Sequence, residues 1–368
     1  MQYHVRLVLC LLLGTLPVAA TGGGDLDTRL QQVLGEFLAE NPVAPGVVAC
    51  ILGPGPDRCW AGAAGAAVRG DGRSLTPDHT FRIASNTKTY VAAAVLRLAE
   101  EGRLGLDDPL ARHLPPDIAA ILAADGYDLE SMTVRMVLSH TSGLFEHPAD
   151  PRYAAAILAD PHHVWTATEQ IRRCVEWGGP VGQPGEKFSY SDTGYILLGL
   201  IVEQKTARSL GAAVRDLLDF PTLGLDATWW EIMETPPPGA GPRAHQYYGD
   251  LDTFGWHPSL DLYGGGGLVS DAEDLARFTR SLLAGDVLQR ESTLTAMTGS
   301  GTPAYRLGLA ATDLEGRLAW GHTGFWNTFV FHLPSLDMTV AGCVLNHHGL
   351  EGRELARRLV AAAVAARE

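Results

Sequence analysis

Lysine is nearly missing from this chain. Of its 28 basic side chains only Lys88, Lys187 and Lys205 are lysines, against 25 arginines. Arginine stays protonated in proteins, whereas a lysine withdrawn from water can lose its proton and serve as a base. Cysteine is sparse as well, with five in 368 residues, and no spacing among them resembles a zinc site. The thirteen histidines contain no His-Glu-x-x-His, so no metal is expected, and the pairs His162-His163 and His347-His348 read as loop residues. No Gly-x-Ser-x-Gly elbow occurs, which disfavours an α/β-hydrolase. Positive charge is in deficit: a net charge of −14 and a pI near 5.3 argue against nucleic acid and anionic membranes as partners.

A bilayer-length apolar run is also lacking. The N-terminal stretch is interrupted by Gly14 and Pro17 and is too short to span. With Arg6 before Leu7–Leu13 and the small residues Val18-Ala19-Ala20 after, residues 1–20 read as a secretory signal, and the expected product is secreted or periplasmic. Residues 21–368 are then expected to form one catalytic domain. Export would permit disulfides. Cys50 and Cys59 flank the turn signal Gly53–Asp57, which suits either a cross-hairpin bridge or two separate thiols.

What is present is an ordinary globular composition, 46% hydrophobic and 19% charged. Helical periodicity covers 25–40, with Leu26, Leu30, Val33, Leu34 and Phe37 on one face. Strand patterns follow at Val47–Leu52 and Trp60–Val68, and a buried helix is expected from Ser85 to Glu101. The middle is turn-rich, with helical patches at Val134–Leu138, Ala167–Trp177 and Gly194–Gln204. Beyond the glycine run at 264–267 come a helix at Ala272–Leu283, strands near Leu318–Trp320, Thr328–Leu333 and Thr339–Leu345, and a closing helix over Leu350–Ala366. The expected fold class is α+β: an antiparallel sheet from both ends of the chain (about 25–95 and 260–368), flanked by helices, with an inserted, mostly helical lobe (about 96–259).

Three segments carry chemistry. Ser85 and Lys88 lie one helical turn apart, which suits a nucleophile and its base, although a capping serine at a helix start has the same pattern. Phe188-Ser-Tyr-Ser-Asp-Thr-Gly-Tyr195 offers Tyr190 as a proton shuttle or an ordinary core tyrosine. Trp320-Gly-His-Thr-Gly-Phe-Trp326 offers a glycine-rich strand edge with a main-chain N–H for an oxyanion, or an ordinary strand end.

In this order and at these separations the segments resemble the penicillin-recognising serine hydrolases: class C β-lactamases, D,D-peptidases and their esterase and aminopeptidase relatives. Val134-Arg-Met-Val-Leu-Ser-His-Thr-Ser-Gly-Leu144, Tyr195–Gly199 and Gly265–Ser270 also look like family segments, and the resemblance runs from about Asp25 to Arg358. It implies that Ser85 forms an acyl-enzyme, that Lys88 is its base or stabilises its alkoxide, and that Tyr190 shuttles the proton. It also implies an oxyanion hole from the N–H groups of Ser85 and Phe325, with His322, Thr323 and Gly324 facing the substrate. No cofactor is implied, and the partner is a small-molecule or peptide substrate. Two departures stand out. His322 replaces the lysine usual in class C β-lactamases, which tilts the reading toward a D,D-carboxypeptidase, D-aminopeptidase or esterase. Asp192 replaces an asparagine, so it accepts but does not donate; it can receive a substrate ammonium or hold Lys88 as an ion pair. The alternatives are a class C-like β-lactamase or a weakly catalytic penicillin-binding sensor.

Overall fold

The computed structural model describes residues 23–54, 59–299, 305–347 and 351–366. The proposed signal segment, Cys10, most of the Gly53–Asp57 turn and His348 lie outside these. The frame is a six-stranded antiparallel sheet built from both ends of the chain: β1 (Gly46–Leu52), β2 (Cys59–Gly65), β3 (Ala310–Leu314), β4 (Arg317–Gly324), β5 (Thr328–Leu333) and β6 (Met338–Val344). Their order is β2-β1-β6-β5-β4-β3, so the first hairpin joins the C-terminal meander through β1 and β6. Register pairs Val47 with Val344 and Val330 with His322.

Both faces of the sheet are covered, and alternation along β1 shows how. Val47, Ala49 and Ile51 pack beneath α1 (Gly23–Glu40) and the closing helix Glu351–Ala365, whereas Val48 and Cys50 point into the larger core on the other face. The stripe Leu26, Leu30, Leu34 and Phe37 explains why residues 23–40 form a helix that docks by one side. Each such buried side chain stabilises by roughly 1.5–3 kcal/mol. On the opposite face α2 (Thr87–Glu100) runs through the interior, with Tyr90 to Leu96 at 0% exposure. Its Ala92-Ala93-Ala94 stretch lets the next layer approach closely. That layer is α3 (Asp192–Thr206), while the helix Ala272–Ala284 packs directly against the sheet.

Several boundaries differ from the sequence expectation. Ser85 is not in the α-helix but in a 3₁₀ turn, Ala84–Asn86, that feeds it. Ala84 holds a left-handed φ of 47°, which a continuous helix cannot accommodate. α3 starts two residues before the apolar pattern, because Ser191 caps it by accepting from Gly194 N–H. β3 was not anticipated; its partly exposed residues carry no clear alternation. Cys50 and Cys59 are diagonal neighbours, since Cys50 opposes Ala61 and Cys59 opposes Leu52; they remain two thiols with sulfurs 3.9 Å apart.

Candidate active site

Ser85 is placed by a knot between its turn and the sheet. The Asn86 side-chain amide donates to Ile83 C=O (2.9 Å) and Thr328 Oγ1 (2.8 Å), and Thr328 Oγ1 donates to Ile83 C=O (2.9 Å). The end of β4 lies against this knot. A Cβ on Gly324 would run into the Thr328 hydroxyl and the Ile83 carbonyl, so only glycine lets the strand come this near and bring Phe325 beside Ser85. β3 stops opposite Gly321, leaving His322–Gly324 paired with β5 on one side alone. Ser85 and Phe325 line one cleft of about 250 Å³.

Lys88 is fully buried one turn beyond Ser85. Its Nζ donates to Ser85 Oγ at 2.9 Å and to Gly265 C=O at 2.6 Å, and lies 2.5 Å from Asp192 Oδ1. Three acceptors match the three protons of an ammonium group. Burial pushes the amine toward neutrality, but the Asp192 charge, helped by Tyr190 and Asp261, outweighs it and raises the Lys88 pKa above the ordinary lysine value. Lys88 is therefore an ammonium in this state, not a free base. The Gly265 carbonyl comes from the glycine run, whose Gly264 needs a φ of 118° where a side chain would meet Tyr195 C=O. That partner left no trace in the sequence beyond the glycines themselves.

The Tyr190 ring lies 5.1 Å from Lys88 Nζ and against the His140 ring at 4.2 Å. Burial raises its pKa, with the Lys88 charge working in opposition. His140 is buried with a left-handed φ of 56°, and its Nδ1 accepts the Ser191 N–H at 3.0 Å, which fixes the chain just after Tyr190.

His322 departs from its expected role. Its Nδ1 is 2.6 Å from Thr323 C=O and its Nε2 is 3.1 Å from the Tyr305 hydroxyl, so both nitrogens are engaged inside the protein. Burial, then the Lys88 charge, lowers its pKa to about 4. A neutral, occupied imidazole is not available to anchor a substrate carboxylate. Thr323 is exposed on the strand edge.

Asp192 is the first residue of α3, where the helix N-terminus favours negative charge. It lines the cleft together with Asp261, a residue the sequence reading did not single out. Burial, then Asp192, raises the Asp261 pKa to about 7. A third acid, Glu146, accepts the Asp192 N–H at 2.5 Å; burial first, and then Asp192, push its pKa well above the usual carboxylate range. The other cleft wall is apolar: Tyr153, Ile157, Leu158, Trp256, Leu260 and Trp326. Hydrogen bonds pin this wall: Tyr153 Oη donates to Leu260 C=O (2.6 Å) and Arg82, paired with Glu231 (2.7 Å), donates to Trp256 C=O (2.8 Å). Among the described residues no group of three or more His, Cys, Asp or Glu is arranged to hold a metal ion. No helix among them is long and apolar enough to cross a membrane.

A family model described as Beta-lactamase matches residues 30–365. Penicillin-binding protein 4* of Bacillus subtilis is 26% identical over 317 residues, which cover 80% of this chain and 66%, just under two thirds, of that protein. Among solved structures, a D-stereospecific amidohydrolase from Streptomyces sp. superposes with a TM-score of 0.75 at 29% identity, covering 89% of this chain and 97% of that one. The D-amino acid amidase of Ochrobactrum anthropi SV3 superposes with a TM-score of 0.79 at 24% identity over 94% of this chain and all of the other, a likeness of fold.

Proposed function

The chain belongs to the Beta-lactamase family, and from that premise we propose that it is an exported serine hydrolase whose Ser85 takes the acyl group of an amide, peptide or ester. The observation that carries the reading is the 2.9 Å contact of Lys88 Nζ with Ser85 Oγ at the floor of an apolar cleft. In this reading Ser85 Oγ attacks the carbonyl carbon and the N–H groups of Ser85 and Phe325 receive the oxyanion. Lys88 and Tyr190 pass the serine proton to the leaving group, and water then releases the acyl group by the reverse path.

Within the family, amide or ester hydrolysis at an amino-acid residue is favoured over D,D-carboxypeptidase and β-lactamase action. Those two act on substrates with a carboxylate beyond the scissile bond, and His322 has no free ring nitrogen to hold one. The likeness to the Streptomyces D-stereospecific amidohydrolase supports the amide reading. One observation favours the sensor alternative: a lysine saturated with acceptors is a poor base.

The test is a panel of nitrocefin, a D-Ala-D-Ala peptide, amino-acid anilides and a short-chain nitrophenyl ester, with fluorophosphonate labelling, on wild type and Ser85→Ala. Ser85-dependent labelling with turnover of anilide or ester supports the hydrolase. Labelling without turnover of any substrate supports the sensor. N-terminal sequencing of the secreted protein tests export; a mature chain beginning near Thr21 is expected.

A further inference from the structure

We propose that Asp192 and Asp261 together seat the ammonium group of a substrate with a free amine, and that its arrival is what frees Lys88 to act as a base. This rests on the serine-hydrolase reading of the same site.

The geometry begins with unequal numbers. Three carboxyl side chains, Asp192, Asp261 and Glu146, surround one cation, Lys88. Asp192 faces Lys88 with Oδ1 and also borders the cleft, its side chain 17% exposed. Asp261 borders the same cleft but makes no side-chain hydrogen bond or ion pair among the described residues. Of the cations acting on it, Lys88 is already shared among Ser85, Gly265 and Asp192, and Arg82 is committed to Glu231. A carboxylate left without a partner beside a nucleophile lacks the cation that would compensate its desolvation. Glu146 is tied to the Asp192 N–H and does not line the cleft, so the carboxyl groups open to a ligand are those of the two aspartates.

The second observation is that the seat and the apolar wall share one cleft with Ser85. An amino-acid amide carries an ammonium, a side chain and a carbonyl on adjacent atoms. With its carbonyl at Ser85 and its side chain against Ile157 and Leu260, its ammonium falls toward the acidic side. The substrate class is therefore an amide, ester or peptide with an unblocked amino terminus and an apolar first residue.

Occupation of the seat then changes Lys88. An arriving ammonium competes for Asp192 and adds a like charge close by; both effects lower the lysine pKa. The groups facing Lys88 are Ser85 on its own segment, Asp192 and Tyr195 on α3, and Tyr190 before it. His140, Glu146 and His147 on the preceding loop, Asp261, and His322 on β4 complete the set. Among these, Asp192 makes the ion pair with Lys88 through a buried oxygen and also borders the cleft. The Lys88 proton leaves to water. Neutral Lys88 takes the Ser85 proton as Oγ bonds to the acyl carbon, and the nitrogen of the breaking C–N bond receives that proton through Tyr190. The ion pair thus slows the resting enzyme, and the right substrate releases it.

The experiment compares kcat/KM for phenylalanine 4-nitroanilide, both enantiomers, with that for the N-acetyl compounds. It also measures fluorophosphonate labelling of Ser85 from about pH 5 to about pH 9. Wild type is expected to prefer the free amine by about tenfold or more. Asp192→Asn and Asp261→Asn should each reduce that preference by about tenfold, and Asp192→Glu should restore it. In Asp192→Asn the labelling midpoint should move to lower pH, a shift that a purely structural role would not cause. Equal wild-type rates on the two substrates overturn the ammonium seat while labelling keeps the hydrolase reading standing. An unchanged labelling midpoint in Asp192→Asn overturns the release of Lys88. Wild type that is neither labelled nor active overturns both readings. Should a variant fail to fold, the wild-type comparison still decides.

Discussion

The hydroxyl of Tyr305 lies 3.1 Å from Nε2 of His322, and this contact decides what His322 can do. With Nδ1 beside Thr323 C=O, the ring is the Nδ1–H tautomer and Nε2 accepts from Tyr305. The imidazole braces the strand edge and the aromatic cluster around Tyr190 instead of greeting an anion.

His322 should accordingly stay neutral down to about pH 4. The unfolded chain protonates the same ring near pH 6.5. Between these values the unfolded state binds more protons, so this group's contribution to stability is complete above pH 6.5 and is lost as pH falls toward 4. Tyr305→Phe removes the donor and leaves Nε2 buried without one, which costs about 1–3 kcal/mol. Imidazole titration by NMR and urea unfolding of both proteins check this; a wild-type His322 that titrates near pH 6.5 contradicts it.

Asp261 titrates in the opposite sense. Its pKa is raised to about 7 by burial and by Asp192, so the folded state holds the extra proton between the unfolded value and 7. Its contribution favours folding at low pH and is lost as pH rises through 7. Asp261→Asn should therefore be more heat-stable than wild type at about pH 8, with a smaller or reversed difference at about pH 4. Melting temperatures at the two pH values, without substrate, measure it. A variant destabilised equally at both would mean that Asp261 has a structural partner.

Part of this site is legible in the chain. Lys88 stands out by composition, Ser85 by spacing, and the sheet from both termini by strands with clear apolar runs. Asp261 and Glu146 are not legible, because acidic residues in irregular segments carry no period and no motif. Their importance comes from burial around Lys88, which arises when the segments carrying them fold against α2 and α3. His322 was legible as mostly uncharged, but not as a ring with both nitrogens engaged inside the protein. Its partner Tyr305 lies 17 residues away, outside any recognisable pattern. The 3₁₀ turn at Ser85 was hidden for a similar reason: Ala84 takes a left-handed φ because the knot of Asn86, Thr328 and Ile83 holds it there.

That knot makes Gly324 a sensitive position. Alanine there drives a methyl group into backbone and hydroxyl oxygens that hold Ser85, and the strand must retreat with Phe325. Loss of one oxyanion donor costs about 100–1,000-fold in turnover. Gly324→Ala should lose activity on that scale, while KM for an anilide changes much less. Equal losses through KM alone would place Phe325 outside the oxyanion hole.

The cysteines separate by exposure. Cys59 is exposed and its pKa is lowered, chiefly by the hydrogen bond from Cys50, whereas Cys50, Cys174 and Cys343 are buried with raised values. Thiolate character and access together govern alkylation. Among the four described cysteines, iodoacetamide under native reducing conditions should modify Cys59 alone, and peptide mass spectrometry reads the site. Early modification of Cys343 would show that the core beneath the sheet opens readily.

The apolar wall makes a last, separable claim about the acyl side of the cleft. Ile157 is 8% exposed and borders the cleft with Leu260, whose carbonyl is fixed by Tyr153. Truncating it removes contact with a substrate side chain but touches neither Lys88 nor the aspartates. Pocket contacts of this kind discriminate by about 1–3 kcal/mol per missing methylene-sized group. Ile157→Ala should therefore narrow the preference for phenylalanine over alanine anilides by about tenfold, mainly through KM, with the rate of Ser85 labelling by a small fluorophosphonate nearly unchanged. If the two anilides instead keep their ratio, the side chain lies elsewhere in the cleft, against Phe325 and Tyr248, and Tyr248→Ala becomes the substitution that collapses the preference.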